Sequence, residues 1–201
     1  MSLFKKFFSS KKQEGSSNEE KGTSDDFFYQ DDESAIDENF VVNFTKSGGK
    51  FLYCESLQEI FECFNNILGE NDWHNSNICC YEDQLIEQFK TFNLNFSKNT
   101  NADFFFASCE FLVSNIGGIL LTNNQLKDSK TSELPNNIVV FAKTSQIIKD
   151  LDIGMQALKS NSKTIPTNIT TLRQFGTGSD DNFLNYGSTP KNLYLLLLED
   201  L

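Results

Sequence analysis

Residues Leu193–Leu198 form an unbroken apolar run, Leu-Tyr-Leu-Leu-Leu-Leu. A strand with one solvated face alternates apolar and polar residues, so a run without alternation belongs to a central strand covered on both faces. Asn137–Ala142 is a second β run, rich in Ile and Val. Strands of this kind need helices between them to cover the sheet. The chain therefore reads as α/β, with an open, mostly parallel sheet and flanking helices.

The remaining segments fit that frame. Phe40–Phe44 and Lys50–Cys54 are short β-type runs around Ser47-Gly48-Gly49, which predicts a hairpin with a glycine turn. Ser56-Leu57-Gln58-Glu59 has the form of a capping box. Ile60, Phe61, Phe64 and Leu68 follow at helical spacing, with Gly69 placed to end the helix. Ile78–Tyr81 predicts a strand and Glu82–Phe89 a short helix. Asp103–Ala107, Glu110–Ser114 and Ile119–Thr122 predict further strands, and Asn123–Glu133 a polar connection. Thr144 or Ser145 is placed to cap a helix carrying Ile147, Ile148, Leu151, Met155 and Leu158, and Asn168–Leu172 predicts a strand. Residues 1–38 are rich in Ser, Lys, Asp and Glu and bury too little apolar surface to offset ordering entropy. They read as a disordered charged tail, and residues 39–201 as a single α/β domain.

Charge narrows the partners. A formal net charge of −11 offers no basic surface to neutralise phosphates, so nucleic acid is not expected. No apolar run approaches the ~20 residues of a spanning helix, so no stable membrane insertion is expected. Met1–Lys12 mixes phenylalanines with lysines and reads either as a solubilising tail or as a short contact with an anionic membrane surface. The cysteine number is odd and no CxxC pair occurs among Cys54, Cys63, Cys79, Cys80 and Cys109. Reduced thiols in a cytoplasmic protein fit best, as small buried apolar residues, and no metal site is expected.

Candidate binding groups gather at two glycine-containing stretches. In Ser114-Asn115-Ile116-Gly117-Gly118 the glycines either expose backbone N–H groups to an anionic oxygen or make a tight turn. In Gly176-Thr177-Gly178-Ser179 backbone donors and two hydroxyls suit a phosphate or carboxylate. Asp180 and Asp181 are read either as cation-binding groups or a general base, or as caps of the following turn. Lys127, Lys130 and Lys191 are the nearest candidates for neutralising an anion. Cys109 sits beside Glu110, whose charge opposes thiolate formation, so it reads as a structural thiol.

From Ala102 onward the order of features resembles the LUD domain family, known from LutC-like lactate-utilisation proteins. The family's acidic residue and Thr-Gly-Thr before an apolar strand fall at Asn115-Ile116-Gly117-Gly118-Ile119-Leu120-Leu121. Its Leu-Pro, histidine and strand fall at Leu134-Pro135-Asn136-Asn137-Ile138-Val139-Val140. Its Gly-Pro-Ser segment falls at Phe175–Phe183, and its His-Gly-Pro at Ser188-Thr189-Pro190-Lys191, before the terminal strand. The resemblance implies the NagB/RpiA/CoA-transferase-like fold and a cytoplasmic accessory or ligand-binding role in lactate or organic-acid utilisation, beside iron–sulfur subunits. It implies a site for a small anionic metabolite at Asn115, Gly117, Gly118, Asn137, Gly176, Thr177, Gly178, Ser179, Asp180, Asp181 and Lys191. Asn137 and Ser188 stand where the family has histidines, which implies either a divergent ligand or a fold that persists in a structural role. The alternative is an enzyme acting on a phosphorylated, CoA-linked or carboxylated small metabolite. Glu110 resembles, by fold alone, the nucleophilic glutamate of CoA transferases.

Overall fold

The computed structural model describes residues 32–161, 166–173 and 192–201. Its centre is a six-stranded sheet built from β1 (Lys50–Cys54), β2 (Asn77–Cys79), β3 (Asn95–Ser97), β4 (Phe104–Ala107), β7 (Asn137–Lys143) and β10 (Asn192–Leu198). The order is β1-β10-β7-β4-β2-β3 and every pairing is parallel. The open, mostly parallel α/β sheet expected from the apolar runs is the architecture observed.

The period of two along a strand sends alternate side chains to opposite layers. Leu193, Leu195 and Leu197 join Ile138, Val140, Phe105 and Ala107 on one face. Tyr194, Leu196 and Leu198 join Val139, Phe141, Phe104 and Phe106 on the other. That second face is covered by α2 (Leu57–Glu70) and α3 (Asp83–Gln88), through Ile60, Phe64, Ile67, Leu68 and Leu85. Ser56 caps α2, accepting from the Glu59 backbone N–H at 3.3 Å. The other half of the expected capping box is shifted, since the Glu59 carboxylate takes the N–H of Glu55 at 2.8 Å. The helix also passes through Gly69 and ends at Asn71, whose side chain donates to the Ile67 carbonyl at 2.8 Å.

The first described element corrects the sequence reading. α1 (Asp32–Lys46) is a helix where a hairpin strand was expected at Phe40–Phe44, and the boundary drawn at residue 38 falls inside it. Consecutive valines and phenylalanines gave the β signal. Position decides otherwise: Phe40, Val41 and Phe44 lie at i, i+1 and i+4, one helical stripe, and all three are buried against the sheet. The glycine turn follows a helix, with Gly48 at φ +88° just before β1.

A second, four-stranded sheet lies over the same face, ordered β8-β5-β6-β9. Its strands are β5 (Phe111–Val113), β6 (Gly118–Leu121), β8 (Ile147–Ile148) and β9 (Thr170–Leu172). β5 and β6 form an antiparallel hairpin with Val113 opposite Gly118. A short helix, α4 (Asn123–Leu126), follows β6. α5 (Leu151–Asn161) covers the outer side through Met155 and Leu158. The helix expected from Thr144 onward thus begins only at Leu151, and Ile147–Ile148 pairs in parallel with β5 instead. No helix among the described residues is long and apolar enough to cross a membrane.

Candidate functional site

In an open α/β sheet ligands sit beyond the carboxyl ends of the strands, where the strand order reverses. Here the reversal lies between β2 and β4, which are neighbours. The chain leaves β2 toward β3 on one side and leaves β4 toward β7 on the other. The residues just beyond those two strand ends are Glu82 and Ser108. They bridge the crevice directly: the Ser108 backbone N–H donates to Glu82 Oε1 at 2.7 Å, and its hydroxyl donates to Oε2 at 2.5 Å.

The network continues into the open end of the β5–β6 hairpin. Gln125 Nε2 donates to Ser108 Oγ at 3.3 Å. Gln125 Oε1 accepts from the Thr122 N–H at 3.0 Å, and Thr122 caps α4 in a capping box with Gln125. The Thr122 hydroxyl donates to Glu110 Oε1 at 2.8 Å, and Asn124 Nδ2 donates to the same oxygen at 2.8 Å. Gln146 Nε2, just past β7, donates to the carbonyl of Cys109 at 2.6 Å. Thr122 and Gln125 are buried, yet no buried polar side-chain atom among the described residues lacks a partner. Two carboxylates, two hydroxyls and three amides are thereby fixed in one orientation. Such an edge accepts hydrogen bonds from a ligand hydroxyl or N–H.

Burial pushes the Glu82 carboxyl above the usual carboxylate range; the Ser108 hydrogen bonds oppose this, the Glu110 charge adds to it and Lys127 opposes it. A raised folded value means that the folded state holds this proton more tightly than the unfolded state. Its contribution is therefore present below the ordinary glutamate value and is lost as pH rises through the folded one. Glu82→Gln is expected to remove that loss. Urea unfolding between pH 4 and pH 7 should show the wild type falling relative to the variant, by at most about 1.4 kcal/mol per pH unit. Parallel curves for the two proteins would refute it.

Neighbouring strand ends are tied in the same way. Asp200, past β10, accepts from the Thr144 hydroxyl at 3.0 Å, the Ser145 N–H at 2.9 Å and the Ser145 hydroxyl at 2.8 Å. Burial opposes its ionisation, but these hydrogen bonds and the Lys143 charge outweigh it and hold Asp200 below its ordinary range. Cys109 is buried, and its thiol is raised first by that burial and then by Glu110 and Glu82. Among the described residues no three metal-ligating side chains converge.

The sequence-predicted residues that the structure describes lie elsewhere. Asn115, Gly117 and Gly118 occupy the closed end of the β5–β6 hairpin, whereas Glu110 and Thr122 flank its open end. Gly117 has φ +57°, and a Cβ there would stand 2.3 Å from the Phe44 nitrogen of α1. Asn43 Nδ2 donates to the Ser114 carbonyl at 2.9 Å, fastening the turn to that helix. The close backbone approach expected at this turn is made by α1. Asn137 begins β7, at the opposite edge of the sheet from Ser108. It donates to the Asp103 carbonyl at 2.9 Å and accepts from Asn192 at 2.9 Å. Gly176, Thr177, Gly178, Ser179, Asp180, Asp181 and Lys191 lie outside the described residues. Sequence reasoning passed over Glu82, Ser108, Thr122 and Gln125 as site residues, although Glu82 and Ser108 each follow a short apolar strand closely.

A family model for the LUD domain matches residues 93–198, more than half of the chain. The span runs from just before β3 to the end of β10. It includes Ser108, Glu110, Thr122 and Gln125 but not Glu82, which the preceding segment contributes. A solved structure of a DUF162 family protein from Deinococcus radiodurans superposes with a TM-score of 0.61 at 16% identity, covering 83% of this chain and 98% of that one. At that identity the likeness is one of fold. No curated protein matches the chain. The matched span and the observed architecture agree: the chain belongs to the LUD domain family.

Proposed function

We propose that this chain is a cytoplasmic ligand-binding accessory protein of lactate or related organic-acid utilisation, working beside iron–sulfur subunits. Membership of the LUD domain family supports the metabolic context. The observation that carries the ligand-binding part is the Glu82–Ser108 bridge at the strand-order reversal, continued through Gln125 and Thr122 to Glu110. A hydroxy acid matches such an edge. Its hydroxyl donates to a carboxylate, and Lys127, whose charge acts on Glu82, answers the ligand's own carboxylate.

The test is a thermal-shift series with lactate, pyruvate and related hydroxy acids. A ligand at 100 times its Kd stabilises the folded state by about 2.7 kcal/mol. That gain is expected in the wild type and is expected to vanish in Ser108→Ala and Glu110→Gln. Equal shifts in all three proteins would move the ligand away from this edge, and no shift with any acid would sink the reading.

The Ser108 hydroxyl, aimed at Glu82 from 2.5 Å, also supports a second reading. A hydroxyl held on a basic carboxylate is the arrangement of an activated nucleophile. The chain would then be an enzyme acting on a phosphorylated, CoA-linked or carboxylated small metabolite. Turnover abolished by Ser108→Ala separates this reading from the first, which requires binding without turnover.

A further inference from the structure

All five cysteines are free, but two of them touch. Cys54 ends β1 and is 1% exposed, while Cys63 lies one and a half turns into α2 and is partly exposed. Their sulfurs are 3.6 Å apart. The approach is local: the chain turns at Ser56 and enters α2 directly, so nine residues of sequence separate the thiols. Cys79, Cys80 and Cys109 are all buried.

We propose that Cys54 and Cys63 form a reversible dithiol switch, which peroxide closes into a disulfide that clamps α2 to the end of β1. The step balances. Hydrogen peroxide oxidises the sulfur of the partly exposed Cys63 to a sulfenic acid and is itself reduced to water. The Cys54 sulfur then attacks that sulfur, the S–S bond forms and the S–O bond breaks. The departing hydroxide takes the Cys54 proton and leaves as a second water. A disulfide needs sulfurs about 2.05 Å apart, so they must close by about 1.5 Å. Burial first, then Cys63 itself, then the Glu59 and Glu62 charges raise the Cys54 thiol, so it stays protonated until Cys63 has been oxidised.

The experiment uses the full reduced chain. After hydrogen peroxide treatment, remaining thiols are alkylated in denaturant and the protein is digested without reductant. The expected result is a peptide linking Cys54 to Cys63, two fewer alkylated cysteines, and recovery of all thiols with dithiothreitol. Closing so short a loop is expected to raise the Tm by about 5 °C. Neither the link nor the rise should appear in Cys63→Ala, whose partly exposed position tolerates the change. A Cys63 sulfinic acid beside an alkylated Cys54 would overturn the proposal, as would links to Cys79, Cys80 or Cys109 instead. A Cys54–Cys63 link without a rise in Tm would overturn the clamp.

Discussion

Phe64→Ala is expected to lower the stability of the folded chain by about 3–5 kcal/mol. Phe64 is fully buried on α2. Its ring meets those of Phe89 at 4.9 Å, Phe92 at 5.0 Å, Phe106 at 5.1 Å and Phe104 at 6.5 Å. It thus joins α2, the α3 region and strand β4 in one aromatic cluster. Truncation removes the burial of the ring and leaves a cavity whose walls are other rigid rings, which collapse poorly. Edge-on contacts of this kind add about 0.5–1.5 kcal/mol each beyond burial. Domains of this kind have about 5–15 kcal/mol in total, so the variant sits near the unfolding threshold. Urea denaturation followed by tryptophan fluorescence reports it directly, because Trp73 belongs to the same layer. Phe64→Leu keeps most of the volume and should cost less than about 1.5 kcal/mol. Equal losses in the two variants would contradict the cavity account.

Gly117→Ala is the second large effect, at about 2–5 kcal/mol. A residue with a Cβ in the left-handed region costs about 1–2 kcal/mol. The added methyl would also stand 2.3 Å from the Phe44 nitrogen and 2.4 Å from the Asn43 carbonyl carbon. These are backbone atoms in the last turn of α1, so relief requires that turn to move, at a further cost of about 1–3 kcal/mol. Gly118→Ala is the internal comparison. Its φ is not positive, and its nearest neighbours are side-chain atoms of Thr171 and Ile116 at 2.9 and 3.0 Å, which have some freedom to turn. A smaller loss is expected there. If instead Gly117→Ala left the urea midpoint unchanged and weakened ligand binding alone, the turn would be a ligand loop rather than the dock for α1.

What the sequence made legible follows from how local each signal is. The runs in β7 and β10 announce burial on both faces, and every residue of them carries that message. The Ser56 cap and the Phe64 helix face are likewise written within a few positions. α1 was misread because Val41 and Val42 favour strands in isolation, and the sheet that claims the Phe40–Phe44 stripe is assembled from distant segments. The carboxyl-edge network was missed for the same reason. Glu82 and Ser108 are 26 residues apart, and neither is unusual alone. Two weak traces were present: a polar residue soon after each buried strand, and the Thr122–Gln125 spacing of a capping box. The glycines at 117 and 118 were the louder signal, and at Gly117 the backbone of α1 packs where a Cβ would stand.

Strand β10 sits between β1 and β7, and among the described residues it is the strand that pairs with β1. Lys50 and Tyr194, which are opposed in the register, are 144 residues apart. A ribosome adding 5–20 residues per second needs roughly 7–30 s to cover that distance. Throughout that interval β1 waits for β10, and β7, once made, also lacks one of its two neighbours until β10 follows. Ring closure over such a length adds about 4 kcal/mol of entropy cost on the logarithmic scale. The nascent chain therefore spends its synthesis as an unfinished sheet with open hydrogen-bonding edges, the surface that chaperones shield and that self-association exploits.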